Sequence, residues 1–130
     1  ELNVLFGGTL TDALDEGHHG QTDDATAYET LFDHTHDVAL AAGGLLAAAI
    51  ERPSISVTSV HRQGIDRLGE GLRVEAHAVS DGLIEAFSAR PCGGDVLAVQ
   101  WHPEWDVAGR ASSRAFFSLI GRALGTYRDR

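Results

Sequence analysis

Residues 73–106, RVEAHAVSDGLIEAFSARPCGGDVLAVQWHPEWD, decide the fold. Two strand-like runs, 73–79 and 83–89, flank Ser80-Asp81-Gly82. An Asp-Gly pair between such runs is a strong hairpin signal, because both residues tolerate the positive φ angles of a tight turn. RPCGGD (90–95) reads as a second turn, and VLAVQW (96–101) as a continuous apolar strand. That strand runs straight into His102-Pro103-Glu104. Pro103 keeps the chain from continuing as strand. A strand ending there delivers its side chains at the carboxyl edge of a sheet, where α/β folds place their sites. Residues two apart in extended chain point the same way, so His102 and Glu104 come within or close to hydrogen-bond reach. A carboxylate on one ring nitrogen fixes the tautomer, and the other nitrogen can then take a proton from a thiol or hydroxyl. The local pattern alone also fits a structural histidine tied down at a strand end.

Working outward, SISVTSV (54–60) alternates apolar and hydroxyl residues and predicts a strand, and HTHDVAL (34–40) predicts a shorter one. GGLLAAAIE (43–51) predicts a short, packed helix that Pro53 ends. HRQGIDRLGEGL (61–72) reads as a loop with one turn of helix at most. Over about 109–127, Phe116, Leu119, Ile120, Ala123, Leu124 and Tyr127 repeat at helical spacing, which predicts a helix with an apolar stripe in the core. Residues 11–30 are rich in Asp, Thr and Gly and read as a polar loop. Residues 1–8 read as the tail of a helix, with Leu2, Val4, Leu5 and Phe6 buried and Gly7-Gly8 as the stop. No capping residue precedes them and the chain contains no methionine, so Glu1 is expected not to be the natural start. Strands, two flanking helices and a hairpin imply an α/β sandwich, of which this chain would be the C-terminal part.

The bulk numbers set limits. With 130 residues and 43% hydrophobic content, the chain suffices for one domain with a real core. A net charge of -9, with arginine as the sole basic residue type besides histidine, argues against nucleic acid or an anionic membrane as the main partner. No apolar run is long enough to span a bilayer, and the start does not read as a signal peptide. The single Cys92 rules out an internal disulfide and fits a reducing, cytoplasmic compartment. Nothing marks Cys92 as a helix N-terminus beside a base, so it reads as an inert thiol. Gly17-His18-His19-Gly20, taken with Asp23, Asp24, His34 and His36, matches no zinc spacing. His34 and His36 share a strand face as a two-ligand arm at most, and no metal is assigned. His77, within the hairpin, reads as structural.

VQWHPEW resembles the His-Pro-Glu motif of the class I glutamine amidotransferase-like superfamily, and most closely its γ-glutamyl-γ-aminobutyrate hydrolase branch, the peptidase C26-like proteins. The similarity runs along almost the whole chain: ELNVLFGGTL, HDVAL with GGLLA, SVTSVHRQGIDRLGEGLRVEAHAVSDGLIEA and SSRAFFSLIGRAL resemble that branch in the same order. The resemblance implies a flavodoxin-like three-layer α/β/α sandwich with a β-hairpin, here one portion of a single domain spanning residues 1–130. It implies a Cys-His-Glu triad that opens γ-glutamyl amides through a thioester. His102 carries over as general base and later acid, and Glu104 as its orienter. Ser59, His61 and Gln63 match a Ser-x-His-x-Gln element beside the site and carry over as substrate-binding residues. The family's Gly-x-Cys-x-Gly elbow falls a few residues ahead of ELNVLFGG, so the nucleophile is expected outside this chain, which alone would be inactive. No cofactor or metal is implied, since the chemistry is thiol acyl transfer. The implied partners are a small γ-glutamyl substrate and an N-terminal half bearing the cysteine, with a homodimer left open. Two other readings stand beside this one: the glutaminase part of an amidotransferase, and a non-catalytic half-domain or pseudo-enzyme that only binds a partner.

Overall fold

The computed structural model describes residues 1–13, 35–58, 61, 63–105 and 109–128. In chain order these form α1 (Leu2–Leu5), β1 (Thr9–Thr11), β2 (Thr35–Leu40), α2 (Leu45–Ile50), β3 (Ser54–Thr58), β4 (Gly64–Arg67), β5 (Arg73–Ala78), β6 (Ile84–Ala89), β7 (Val96–Val99) and α3 (Ala111–Arg128), with 3-10 turns at Pro91–Gly93 and Pro103–Trp105. The expected α/β architecture is present. The seven strands make one sheet in the order β1-β4-β6-β5-β2-β3, with β7 also on β6. All described pairings are antiparallel.

The predicted hairpin organises the sheet. Gly82 takes φ +75°, and Asp81 Oδ1 accepts the Leu83 N–H at 3.0 Å, so the Asp-Gly pair closes the turn between β5 and β6. β6 then serves three neighbours. β5 lies on one edge, while β4 (at Ile84) and β7 (from Ala86 to Ala89) share the other. Because alternate residues face opposite sides, β6 presents Ala86 to a core with Val38, Leu40, Leu46, Val57 and Trp101, against which Phe116 and Leu119 of α3 also pack. Glu85 and Phe87 instead line a cavity of about 320 Å³ on the α1 side, together with Leu2, Ala98 and Gln100.

A bulge in β5 sets the entry to α2. The register skips between Val74 and Ala76, so Glu75 has no partner across the ladder and its carboxylate is re-aimed. Buried Glu75 accepts the Leu46 N–H at 3.2 Å and the Ser88 hydroxyl at 2.7 Å. Gly44, the helix N-cap, has no side chain to cap with. Glu75 supplies the missing acceptor from a distant strand, and a Cβ at Gly44 would collide with that carboxylate.

Three expectations are corrected. In α1 the apolar residues are not buried: Leu5 is 79% exposed, and Leu2 and Val4 are also exposed, whereas Asn3 is 2% exposed. The Asn3 amide donates to the Thr9 and Arg67 carbonyls and accepts the Gly69 N–H, so it clamps α1 to β1 and to the end of β4. Residues 61–72 are not all loop, because Gly64–Arg67 pair with β1 and β6 as a strand. The apolar stripe of α3 is only partly core: Phe116 and Leu119 pack inward, while Ile120 and Ala123 are exposed. Of the polar segment 11–30, Thr11 ends β1, and the part from residue 14 onward lies outside the described residues, as does His34.

Candidate active site

β7 carries the chain to the sheet edge, and two anchors fix the turn beyond it. The Gln100 N–H donates to the Glu85 carbonyl at 2.8 Å, and Trp101 and Pro103 are both buried. Between these buried neighbours the His102 side chain is 38% exposed. The chain turns here as the 3-10 segment Pro103–Trp105 and packs on α3, so the extended geometry expected for His102 and Glu104 does not apply. The turn nevertheless brings His102 Nδ1 within 2.9 Å of Glu104 Oε1. A carboxylate accepts, so Nδ1 carries the proton, and Nε2 is the nitrogen able to exchange one with a nucleophile.

Of the three residues carried over as substrate-binding, Ser59 lies outside the described residues. The Gln63 side chain is exposed and donates to Asp12 Oδ1 at 2.9 Å. The His61 ring is turned inward. Its Nδ1 lies 2.9 Å from the Gln63 carbonyl oxygen and its Nε2 lies 3.4 Å from Glu85 Oε1. His36 Nε2 meets the same Oε1 at 3.2 Å. The Glu85 side chain is 0% exposed and each imidazole 9%. Neither Glu85 nor this role for His36 emerged from the sequence. The available signal was an acid between Ile84 and Ala86 in a largely apolar strand, since a buried carboxylate demands a partner.

Burial by itself would raise the Glu85 pKa, but the close contacts and charges of His36 and His61 outweigh it and lower the carboxyl from 4.5 to about 2. Burial likewise opposes the charged form of His61. The Glu85 contact, the Gln63 carbonyl and the charge of Asp81 together raise its pKa above 6.5. The signs define a pH window. The Glu85 contribution to stability is present above 4.5 and is lost as pH falls toward about 2. The His61 contribution is full below 6.5 and is lost as pH rises through its raised value. Wild-type protein should therefore exceed Glu85→Gln in stability most between pH 4.5 and 6.5. Urea midpoints measured across that window and on both sides of it check this, and a flat difference speaks against the ion pair. Among the described residues no helix is long and apolar enough to cross a membrane.

The Peptidase C26 family model matches residues 1–104, which take in every described strand and end on Glu104. The chain is 40% identical over 126 residues to the putative glutamine amidotransferase Rv2859c of Mycobacterium tuberculosis, covering 95% of this chain and 37% of that protein. It is 38% identical over 123 residues to the γ-glutamyl-γ-aminobutyrate hydrolase PuuD of Escherichia coli, covering 90% of this chain and 47% of that protein. The chain thus spans less than half the length of these curated relatives. In fold it is similar to a putative GMP synthase subunit from Thermoplasma acidophilum, with a TM-score of 0.66 at 16% identity, covering 98% of this chain and 54% of that one. The chain belongs to the Peptidase C26 family, within the glutamine amidotransferase-like proteins.

Proposed function

We propose that this chain supplies the His-Glu part of a Cys-His-Glu triad that hydrolyses γ-glutamyl amides, with the cysteine provided from outside residues 1–130. The observation that carries the reading is the 2.9 Å contact between His102 Nδ1 and Glu104 Oε1 at the end of β7 in a Peptidase C26 chain. In this mechanism Glu104 holds the proton on Nδ1 and supports the imidazolium that forms. His102 Nε2 takes the thiol proton, and the thiolate attacks the γ-carbonyl carbon of the substrate. The tetrahedral intermediate collapses as the same imidazolium protonates the departing amine. The resulting glutamyl thioester is cleaved by a water that His102 deprotonates, which releases glutamate and restores the thiol. A small γ-glutamyl amine such as γ-glutamyl-γ-aminobutyrate is the proposed substrate, in line with the PuuD relative. Glutamine is the competing substrate, favoured by the name of the mycobacterial relative.

The exposed apolar side chains of α1, Leu2, Val4 and Leu5, are the surface on which the cysteine-bearing segment is proposed to pack. The test compares glutamate release from γ-glutamyl-γ-aminobutyrate and from glutamine, using residues 1–130 alone and joined to a segment bearing a Gly-x-Cys-x-Gly turn. Turnover is expected only in the joined protein and is expected to be faster with the γ-glutamyl amine. Release of glutamate by residues 1–130 alone would place the nucleophile within this chain and overturn the reading.

A further inference from the structure

The triad reading leaves one buried ionisable cluster without a task. His36 on β2, His61 after β3 and Glu85 on β6 come from three separate elements and meet at a single carboxylate oxygen, at 3.2 and 3.4 Å. The protonation state of His61 follows from its two neighbours. A carbonyl oxygen can only accept, so the 2.9 Å contact with Gln63 puts a proton on Nδ1. Nε2 then faces Glu85 either as an imidazolium beside a carboxylate or as a neutral ring beside a carboxylic acid. The Glu85 carboxyl is lowered and the His61 imidazole raised, and both directions favour the first arrangement. When protonated, His61 directs one N–H at the loop's own backbone and the other toward Glu85. In this arrangement it contributes charge, and it fixes the course of its loop.

Glu85 also acts through its main chain. Its carbonyl accepts the Gln100 N–H at 2.8 Å, two residues ahead of His102. One residue therefore ties the loop of His61 and Gln63 by its side chain and the approach to His102 by its backbone. We propose that Glu85 is a positioning residue of the γ-glutamyl site, holding the His61–Gln63 loop in register with the strand that presents His102, so that substrate binding depends on a carboxylate that substrate never touches. This inference rests on the hydrolase reading above. Among the described residues, the ionisable groups around His61 are Glu85 on β6, Asp81 in the β5–β6 turn and, across the shared oxygen, His36 on β2. Replacing Glu85 by Gln removes the charge that holds the imidazolium while keeping the backbone bond to Gln100.

The test uses protein joined to its cysteine-bearing segment. Glu85→Gln is expected to raise KM for γ-glutamyl-γ-aminobutyrate about tenfold while kcat falls less than about threefold, because loop placement is lost and the His102–Glu104 pair is kept. Glu85→Asp, which restores the charge, should recover part of the KM. The basic limb of the kcat/KM profile should move to lower pH in Glu85→Gln, an effect that lost packing alone would not produce. If wild-type protein turns over no γ-glutamyl amide, the hydrolase reading fails and takes the positioning role with it. If wild-type protein is active and folded Glu85→Gln keeps its KM and pH profile, the positioning role alone fails. Should Glu85→Gln not fold, nitrogen NMR of wild-type His61 decides. Protonation of both ring nitrogens at pH 6 is expected, and a singly protonated ring at that pH overturns the proposal.

Discussion

Substituting His102 with Gln, in protein joined to its cysteine-bearing segment, should lower kcat for γ-glutamyl amide hydrolysis by about a thousandfold or more. Gln keeps polarity and approximate size but cannot carry a proton from thiol to leaving amine, so every chemical step loses its shuttle. KM should change far less, since the ring is not proposed to hold the substrate. Glu104→Gln should fall short of this loss. Its carboxylate orients the ring from a position 63% exposed, where water can replace part of the contact. Steady-state kinetics on both variants check the order. A His102→Gln protein retaining a tenth of wild-type kcat would sink the assignment of His102 as the proton shuttle.

Gly8→Ala should cost about 3 kcal/mol of stability, a drop of roughly 10 °C in Tm for a domain of this size. A Cβ there would collide with the Asn3 amide and sit 2.5 Å from the Arg67 carbonyl oxygen. Neither group can yield cheaply. Asn3 is held by its bonds to Thr9, Arg67 and Gly69, and the Arg67 carbonyl is one of those partners. The neighbouring Gly7 makes an internal control. It takes φ +89°, yet a Cβ at that position meets nothing within 4 Å. Gly7→Ala should therefore cost only its backbone strain, about 1 kcal/mol. Thermal and urea unfolding of the two variants distinguish a crowded clamp from a strained turn. Equal losses would show that backbone conformation, not the Asn3 clamp, limits this corner.

These two sites differ in how far the sequence exposes them. The hairpin of β5 and β6 could be read because Asp81-Gly82 and the flanking runs are all local. His102 and Glu104 were legible for the same reason, although a 3-10 turn and not extended chain brings them together. The strand β4 was missed because GIDR carries almost no strand signal, and its conformation is imposed by β1 and β6 from far along the chain. The helix of α1 was read correctly, but its expected burial went wrong for a related reason. Apolar Leu2, Val4 and Leu5 suggested burial by type, but the buried position is decided by where the acceptors of Thr9 and Arg67 lie. Glu85 fell between these cases. An acid inside LIEAFSA signals a buried partner, but nothing local says that the partners are His36 and His61.

The divided edge of β6 has a consequence for the order in which the protein assembles. β5 and β7 reach β6 through short connections, so joining them to it carries a small loop-closure cost. β4 docks on the same strand at only Ile84 and owes its remaining pairing to β1, near the other end of the chain. The three-strand unit of β5, β6 and β7 is thus the natural folding nucleus, and the corner built on Asn3 closes late. His102 would then be carried into place with the earliest part of the sheet, while the Asn3 clamp depends on contacts formed last.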